Sequence, residues 1–134
     1  DFVTALPFNT LVGLSADGDA LALRDADALH NHVGTVHAGA LFTLGEAASG
    51  VAIARNVAAA LGGAMPVTRS ASIAYRKPAR GRIRARAGLA ETVEEISARL
   101  KRDGKASFDV NVVLEDDAGV EVATMTVAWY VRAA

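Results

Sequence analysis

One long segment of this chain has no polar side if it is coiled into a helix. From Ala38 to Ala54 nearly every residue is small or apolar, and Glu46 is the only charged one. A helix without a polar face must be enclosed on most sides, by the rest of the fold or by a second subunit. The segment also falls short of the roughly 20 apolar residues that a membrane span needs. We therefore expect a buried helix and no membrane partner.

The local sequence on either side sets the expected ends of this helix. Thr35 or His37 is a suitable first residue, and the apolar pattern continues to about Leu61. Gly62-Gly63 then supplies a C-terminal stop, and Pro66 follows within a few residues.

The rest of the chain has the hydrophobic pattern of an antiparallel sheet. Before the helix, apolar stretches surround the turn signal Ala16 to Asp19, which predicts a hairpin over residues 11–23. After the helix the hydrophobic period changes to two. This alternation predicts strands at 67–76, 82–90, 95–101, 108–114 and 120–131. The sequence thus predicts an α+β fold over 1–134 as one domain, with one long central helix wrapped by an antiparallel sheet of five or six strands.

Composition and charge exclude several classes of function. The net charge is −1, so no global field attracts nucleic acid or an anionic membrane. The chain contains no cysteine, which excludes disulfides, thiolate metal sites and a cysteine nucleophile. Absence of cysteine is compatible with a cytoplasmic protein, which is the location that we expect.

Glu46 is the residue that the apolar segment leaves unexplained. An ionised carboxylate in an apolar setting is costly unless it is paired or its pKa rises. One interpretation is structural, with Glu46 paired to a buried arginine or capping a group across an interface. The other is functional, because perturbed acids also occur at active sites.

The residues around the start of the helix carry a resemblance to a known family. Asn31-x-x-Gly34-x-x-His37-Ala38-Gly39, with an acid nine residues after the histidine, resembles the signature of hotdog-fold acyl-CoA thioesterases. The PaaI-like branch is the most similar, with N-x-x-G-x-x-H-G-G followed by Asp or Glu. The segment 75–81 is similar to the family's strand-turn-strand, so the resemblance covers roughly residues 10–131.

The resemblance implies a hotdog fold and a role for each matching residue. Glu46 takes the position of the catalytic carboxylate, a general base on water or a nucleophile on the thioester carbonyl. Ala38 takes the position whose backbone N–H polarises that carbonyl, and Gly39 completes the motif. Asn31 matches a polar residue near the reacting centre that orients water, and His37 one that builds the start of the helix. Ala38 replaces the usual glycine, but its N–H remains a donor if φ is negative.

Physical chemistry makes the same residues reasonable and adds a constraint. A helix N-terminus offers free N–H groups where an oxyanion develops, and an apolar surround brings a glutamate pKa towards neutrality. Ala38 and Glu46 are eight residues apart, about 12 Å along a helix at ~1.5 Å per residue. Both can act on one carbonyl only if they come from different subunits. A catalytic role therefore predicts a homodimer with two interfacial sites, alone or as a dimer of dimers (a homotetramer).

Further candidates lie in a basic strip and around the histidines. The strip holds Arg76, Lys77, Arg80, Arg82, Arg84 and Arg86. It is either a solvated outer face or a patch for coenzyme A phosphates, with Arg80 and Arg82 nearest the turn. Aromatic residues do not interleave it, which argues against nucleic acid. Ser49, one turn after Glu46, is a candidate for acyl contact.

A metal site is the less favoured interpretation of the histidines. His30, His32 and His37 could join Glu46, since alternate residues of an extended strand point the same way. No further ligand set stands near them in the sequence, so we predict no metal.

We therefore predict hydrolysis of an acyl-CoA thioester, with coenzyme A as part of the substrate and no other cofactor. The alternative is a non-catalytic module that binds acyl-CoA or an acyl carrier. A hotdog dehydratase or hydratase ranks lower because the chain has no D-x-N-P-x-H pattern. A purely structural dimer ranks last because it leaves Glu46 unexplained.

Overall fold

The computed structural model describes residues 2–134 of the chain. Its helices are α1 (Pro7–Val12), α2 (Ala38–Asn56) and α3 (Val93–Asp103). Its strands are β1 (Leu14–Asp17), β2 (Ala20–Leu23), β3 (Val67–Tyr75), β4 (Ile83–Leu89), β5 (Lys105–Asp116) and β6 (Glu121–Arg132). Short 3-10 turns cover Asp27–Leu29 and Ala58–Leu61.

The strands form one antiparallel sheet with the order β1-β2-β4-β5-β6-β3. The hairpin predicted over 11–23 is confirmed as β1 and β2, which are joined across Gly18 in a left-handed conformation. The four strands after α2 complete a sheet of six, so the predicted α+β class with five or six strands is confirmed.

Helix α2 packs across one face of this sheet and supplies much of the core. Leu44 and Val51 are buried in one cluster with Ile83 of β4 and Leu114 of β5. Gly45 permits the close approach, because a Cβ at this position would lie 2.6 Å from Met125 Sδ.

The end of α2 differs slightly from the prediction. The α-helix ends at Asn56, and the chain continues to Leu61 as a 3-10 turn. Gly62 then adopts a φ of 58°, which L side chains rarely accept, so the predicted glycine stop is confirmed at the end of this turn.

The strand predicted over 95–101 is wrong, because these residues form helix α3. Thr92 and Glu95 make a capping box at its start, and Gly104 ends it with a φ of 74°. Ile96 and Leu100 are buried, and a spacing of four residues places both on one side of a helix. The same two positions also satisfy an alternating strand pattern, which is why periodicity over seven residues gave the wrong element.

Strand β3 lies at one edge of the sheet and is mostly exposed. Its outer side has no partner strand among residues 2–134. Val67 on this strand is 56% exposed, and Phe42 on α2 is 36% exposed. An unpaired edge with exposed apolar side chains is available for pairing with another chain.

Candidate active site

The loop before α2 is shaped by Asn31. Its side-chain oxygen accepts the N–H groups of Val33 and Thr35, both at 3.0 Å, and its amide donates to Thr35 Oγ1 at 2.7 Å. Gly34 completes the turn with a φ of 77°. These bonds shape the loop, and the role of Asn31 in orienting water stays a prediction.

His37 caps the first turn of α2. Its Nδ1 accepts the N–H of Gly39 at 2.8 Å, while its carbonyl oxygen accepts the N–H groups of Ala40 and Leu41. A Cβ on Gly39 would lie 3.1 Å from His37 Nδ1, so glycine suits this position. His37 therefore builds the start of the helix, and Gly39 supports it with an N–H that is already bonded.

Replacing His37 by alanine is expected to lower the free energy of unfolding by about 0.5–2 kcal/mol, because the Gly39 N–H loses its acceptor. His37→Ser, which restores an N-cap acceptor, should recover most of this loss. Urea unfolding measures both variants. Equal stability of the wild type and the alanine variant would show that this cap contributes nothing.

Ala38 presents the remaining N–H of this first turn. As the first helical residue it has no carbonyl partner within its own helix. The Tyr75 hydroxyl donates to the Ala38 carbonyl at 3.2 Å, which ties the helix start to β3. Both residues line an open groove of about 370 Å³, together with Asn31 and Arg80. From the sequence, Tyr75 was expected only as part of the strand-turn-strand segment 75–81, with no role at the site.

Glu46 lies on the wall of a different cavity, of about 300 Å³. The walls are mostly apolar, and burial raises the pKa of the Glu46 carboxyl above its ordinary value of 4.5. None of the ion pairs within residues 2–134 includes Glu46. The paired, structural interpretation of this acid therefore finds no partner in the described part of the chain.

The raised pKa of Glu46 predicts a pH-dependent cost to stability. The folded protein holds the proton more tightly than the unfolded chain does, so the cost is absent at pH values below the unfolded pKa. It develops as the pH rises through the folded pKa, where the half-buried carboxyl ionises. Across that pH range, the free energy of unfolding of Glu46→Gln should therefore rise relative to that of the wild type. Denaturant unfolding at several pH values measures the difference, and a constant difference would contradict it.

Ser49 supports Glu46 from within the core. It is fully buried, its hydroxyl donates to the Glu46 carbonyl at 2.6 Å, and it accepts the Trp129 Nε1–H at 3.1 Å. The acyl contact predicted for Ser49 is therefore not what the structure shows, because this hydroxyl is engaged away from the cavity. Trp129, which the sequence did not single out, lines the cavity instead.

The basic strip divides into two parts. Arg82 lies 2.9 Å from Asp17 and 3.8 Å from Asp117, and Arg84 lies 2.7 Å from Asp17. The hydrogen bond from Arg82 is the main cause that holds the pKa of Asp17 below its usual value. Arg82 is thus engaged in ion pairs on the outer face, and its role as a phosphate ligand stays a prediction. Arg80 does line the groove at the start of α2.

The histidines do not converge on a metal site. His30 Nε2 lies 2.9 Å from Asp25 Oδ1, and His37 caps the helix. Over residues 2–134 the structure brings together no group of three or more residues that could ligate a metal ion. Nor does any helix in this range combine the length and hydropathy required to cross a bilayer.

Within a single chain, the two central candidate residues, Ala38 and Glu46, lie apart. Ala38 lines the groove and Glu46 lines the cavity, and the two spaces share no lining residue. This is the separation that the sequence spacing predicts. One protomer therefore holds the N–H at the start of α2 and the Glu46 carboxyl in different places.

Comparison with known families places the chain. A family described as a domain of unknown function, DUF4442, matches residues 2–131. The chain belongs to the DUF4442 family. No curated protein matches this DUF4442 chain.

Solved structures similar to this DUF4442 chain share its fold. A Pseudomonas aeruginosa protein of unknown function, described as a probable thioesterase, is 28% identical with a TM-score of 0.88, covering 99% of this chain and 92% of its own. A Bacillus halodurans protein solved with CoA is 24% identical with a TM-score of 0.73. The match covers 95% of this chain and 76% of the Bacillus halodurans chain. A mutant of a Staphylococcus aureus thioesterase enzyme is 16% identical with a TM-score of 0.73, covering 95% and 99%.

These similarities confirm the predicted hotdog fold. Assignment to the PaaI-like branch stays a prediction.

Proposed function

We propose that this chain is an acyl-CoA thioesterase in which Glu46 is the base or nucleophile and the Ala38 N–H is the oxyanion donor. The observation that carries the proposal is the Glu46 carboxyl, which has no ion-pair partner in residues 2–134 and lines an apolar cavity. The probable-thioesterase description of the Pseudomonas aeruginosa protein supports the same class.

The chemistry requires a base and a site for negative charge. As a base, Glu46 takes a proton from water while the water oxygen bonds to the carbonyl carbon. Negative charge then develops on the carbonyl oxygen, where the Ala38 N–H and the helix dipole stabilise it. The carbon–sulfur bond breaks, and the coenzyme A thiolate leaves and takes up a proton. The raised pKa of Glu46 suits a base that works near neutral pH.

The working unit in this proposal is a homodimer, alone or within a dimer of dimers. Because Ala38 and Glu46 line separate spaces in one chain, a shared site needs the helix start of one protomer beside the cavity of its partner. The unpaired edge of β3 and the exposed Phe42 side chain provide surface for such contact.

Coenzyme A is proposed to bind at the groove beside the helix start. Arg76, Lys77 and Arg80 line this groove, and guanidinium and ammonium groups suit phosphates. The Bacillus halodurans structure with CoA supports this ligand class. Coenzyme A enters as part of the substrate, and the proposed mechanism uses no further cofactor. The cytoplasm, where acyl-CoA is available, is the proposed location.

A thiol-release assay with short, medium and aromatic acyl-CoAs tests the proposed function. We expect continuous release of coenzyme A thiol that saturates with acyl-CoA and scales with protein concentration. Free thiol that never exceeds the spontaneous rate with any of the three classes would overturn hydrolysis.

A binding module without turnover is the second candidate. Ala38 lines the groove at the position where the resembling family has glycine, so its methyl group adds bulk near the N–H. Saturable binding of an acyl-CoA or acyl carrier without thiol release would favour this function.

A further inference from the structure

The cavity beside Glu46 runs along α2. Glu46, Gly50 and Ala54 line it at intervals of four residues, which places them on one side of the helix. Glu46 and Ala54 are about 12 Å apart at ~1.5 Å per residue. Beyond Ala54 the lining continues with Ala58 and Met65. The cavity is therefore a channel with the carboxylate near one end.

The channel is apolar and partly open to solvent, and the N-terminal segment forms one of its sides. Phe2, Val3 and Leu6, at and before the start of α1, line it opposite α2. Asn9 also lines it, but its amide donates to the Val3 carbonyl at 2.9 Å. Glu46 is the only charged residue among the lining residues of the described chain. Such a surface suits an alkyl group and offers little to a polar acyl chain.

The volume and the length of the channel indicate the same size for the group that it binds. About 300 Å³ holds roughly ten groups of the size of a water molecule, which a methylene approximates. The ~12 Å of wall between Glu46 and Ala54 accommodates roughly ten bonds of an extended chain, since a residue of three bonds spans ~3.5 Å. The volume and this stretch of wall therefore indicate a similar number of carbon atoms.

We propose that this channel binds a straight aliphatic acyl chain of medium length, close to decanoyl, with its thioester end at Glu46. Ala54 and Ala58 are exposed and lie at the far end of the channel, where a longer chain would reach solvent. The assignment rests on the proposed acyl-CoA function, and it adds the class of acyl group. Acetyl and butanoyl groups leave most of the channel empty, while palmitoyl exceeds it.

Trp129 provides a direct probe of occupancy. It is the single tryptophan of the chain and it lines the channel. In the Glu46→Gln variant, which is expected to leave substrate uncleaved, decanoyl-CoA should shift the tryptophan emission. Butanoyl-CoA and free coenzyme A should leave the emission unchanged. Free coenzyme A also controls for absorption by the adenine ring. An equal response to decanoyl-CoA and coenzyme A would overturn the assignment.

Narrowing the far end tests the length limit. Ala54→Leu should lower kcat/KM for decanoyl-CoA by roughly tenfold or more, and leave that for butanoyl-CoA within about twofold. Ala98→Leu, at an exposed alanine on α3, is the matched control and should change neither. Ala58→Leu repeats the test if Ala54→Leu does not fold, as judged by circular dichroism. An unchanged length profile in a folded variant would overturn the channel as the acyl site.

The two assays separate the two proposals. Emission shifts with decanoyl-CoA but no thiol release from any substrate by the wild type would support the channel and overturn hydrolysis. Thiol release that is insensitive to the Ala54 and Ala58 variants, without an emission shift, would support hydrolysis and overturn the channel.

Discussion

Replacing Glu46 by glutamine is expected to lower kcat for acyl-CoA hydrolysis by about 10²–10⁴-fold. Glutamine keeps the size of the side chain and its place on the cavity wall, but it can neither accept a proton from water nor attack the carbonyl. The fall should appear in kcat with every acyl-CoA that the wild type cleaves, because the carboxylate acts on the thioester and not on the acyl chain. Steady-state thiol release measures it.

Two controls distinguish this result from misfolding and from the loss of any exposed acid. Burial raises the pKa of Glu46, so a neutral amide should not destabilise the fold above that pKa, and a thermal melt checks this. Glu94→Gln, at an exposed acid on α3, is the matched control and should keep full activity. Full turnover by a folded Glu46→Gln protein would remove the carboxylate from the mechanism.

The sequence was sufficient to predict those elements whose hydrophobic pattern fits only one type of secondary structure. Nearly every residue of the seventeen from Ala38 to Ala54 in helix α2 is small or apolar, a length that no strand in a small sheet requires. The hairpin has a turn signal with a glycine that adopts positive φ. In α3, by contrast, Ile96 and Leu100 fit both periods, and the capping pair Thr92 and Glu95 was the signal that distinguished them.

The candidate site was only partly predictable, because side-chain partners come from distant parts of the chain. Arg80 and Arg82 are equivalent in sequence, and only the hairpin that brings Asp17 beside Arg82 distinguishes them. Trp129 meets Ser49 from eighty residues away, across the sheet. The roles of residues within one loop were easier to predict. His37, for example, caps its own helix as predicted.

Mixing two inactive variants is expected to restore activity if the sites are shared between protomers. Ala38→Pro removes the N–H of the first helical residue, and proline is well tolerated at this position. His37 already has the extended backbone (ψ 138°) that a following proline requires. Loss of one oxyanion donor should cost roughly 10²–10³-fold in kcat. Ala38→Gly, which keeps the N–H, is the control and should remain active.

The mixed dimer distinguishes a shared site from a site within one chain. In a dimer of one Ala38→Pro and one Glu46→Gln protomer, one site receives both defects and the other combines an intact helix start with an intact carboxylate. Random exchange makes half the dimers mixed, so the mixture should recover about a quarter of wild-type activity. Sites within single chains would each keep one defect, and no recovery would occur. Because Ala38 and Glu46 are about 12 Å apart on one rigid helix, activity without a shared site would require a different donor or a different acid.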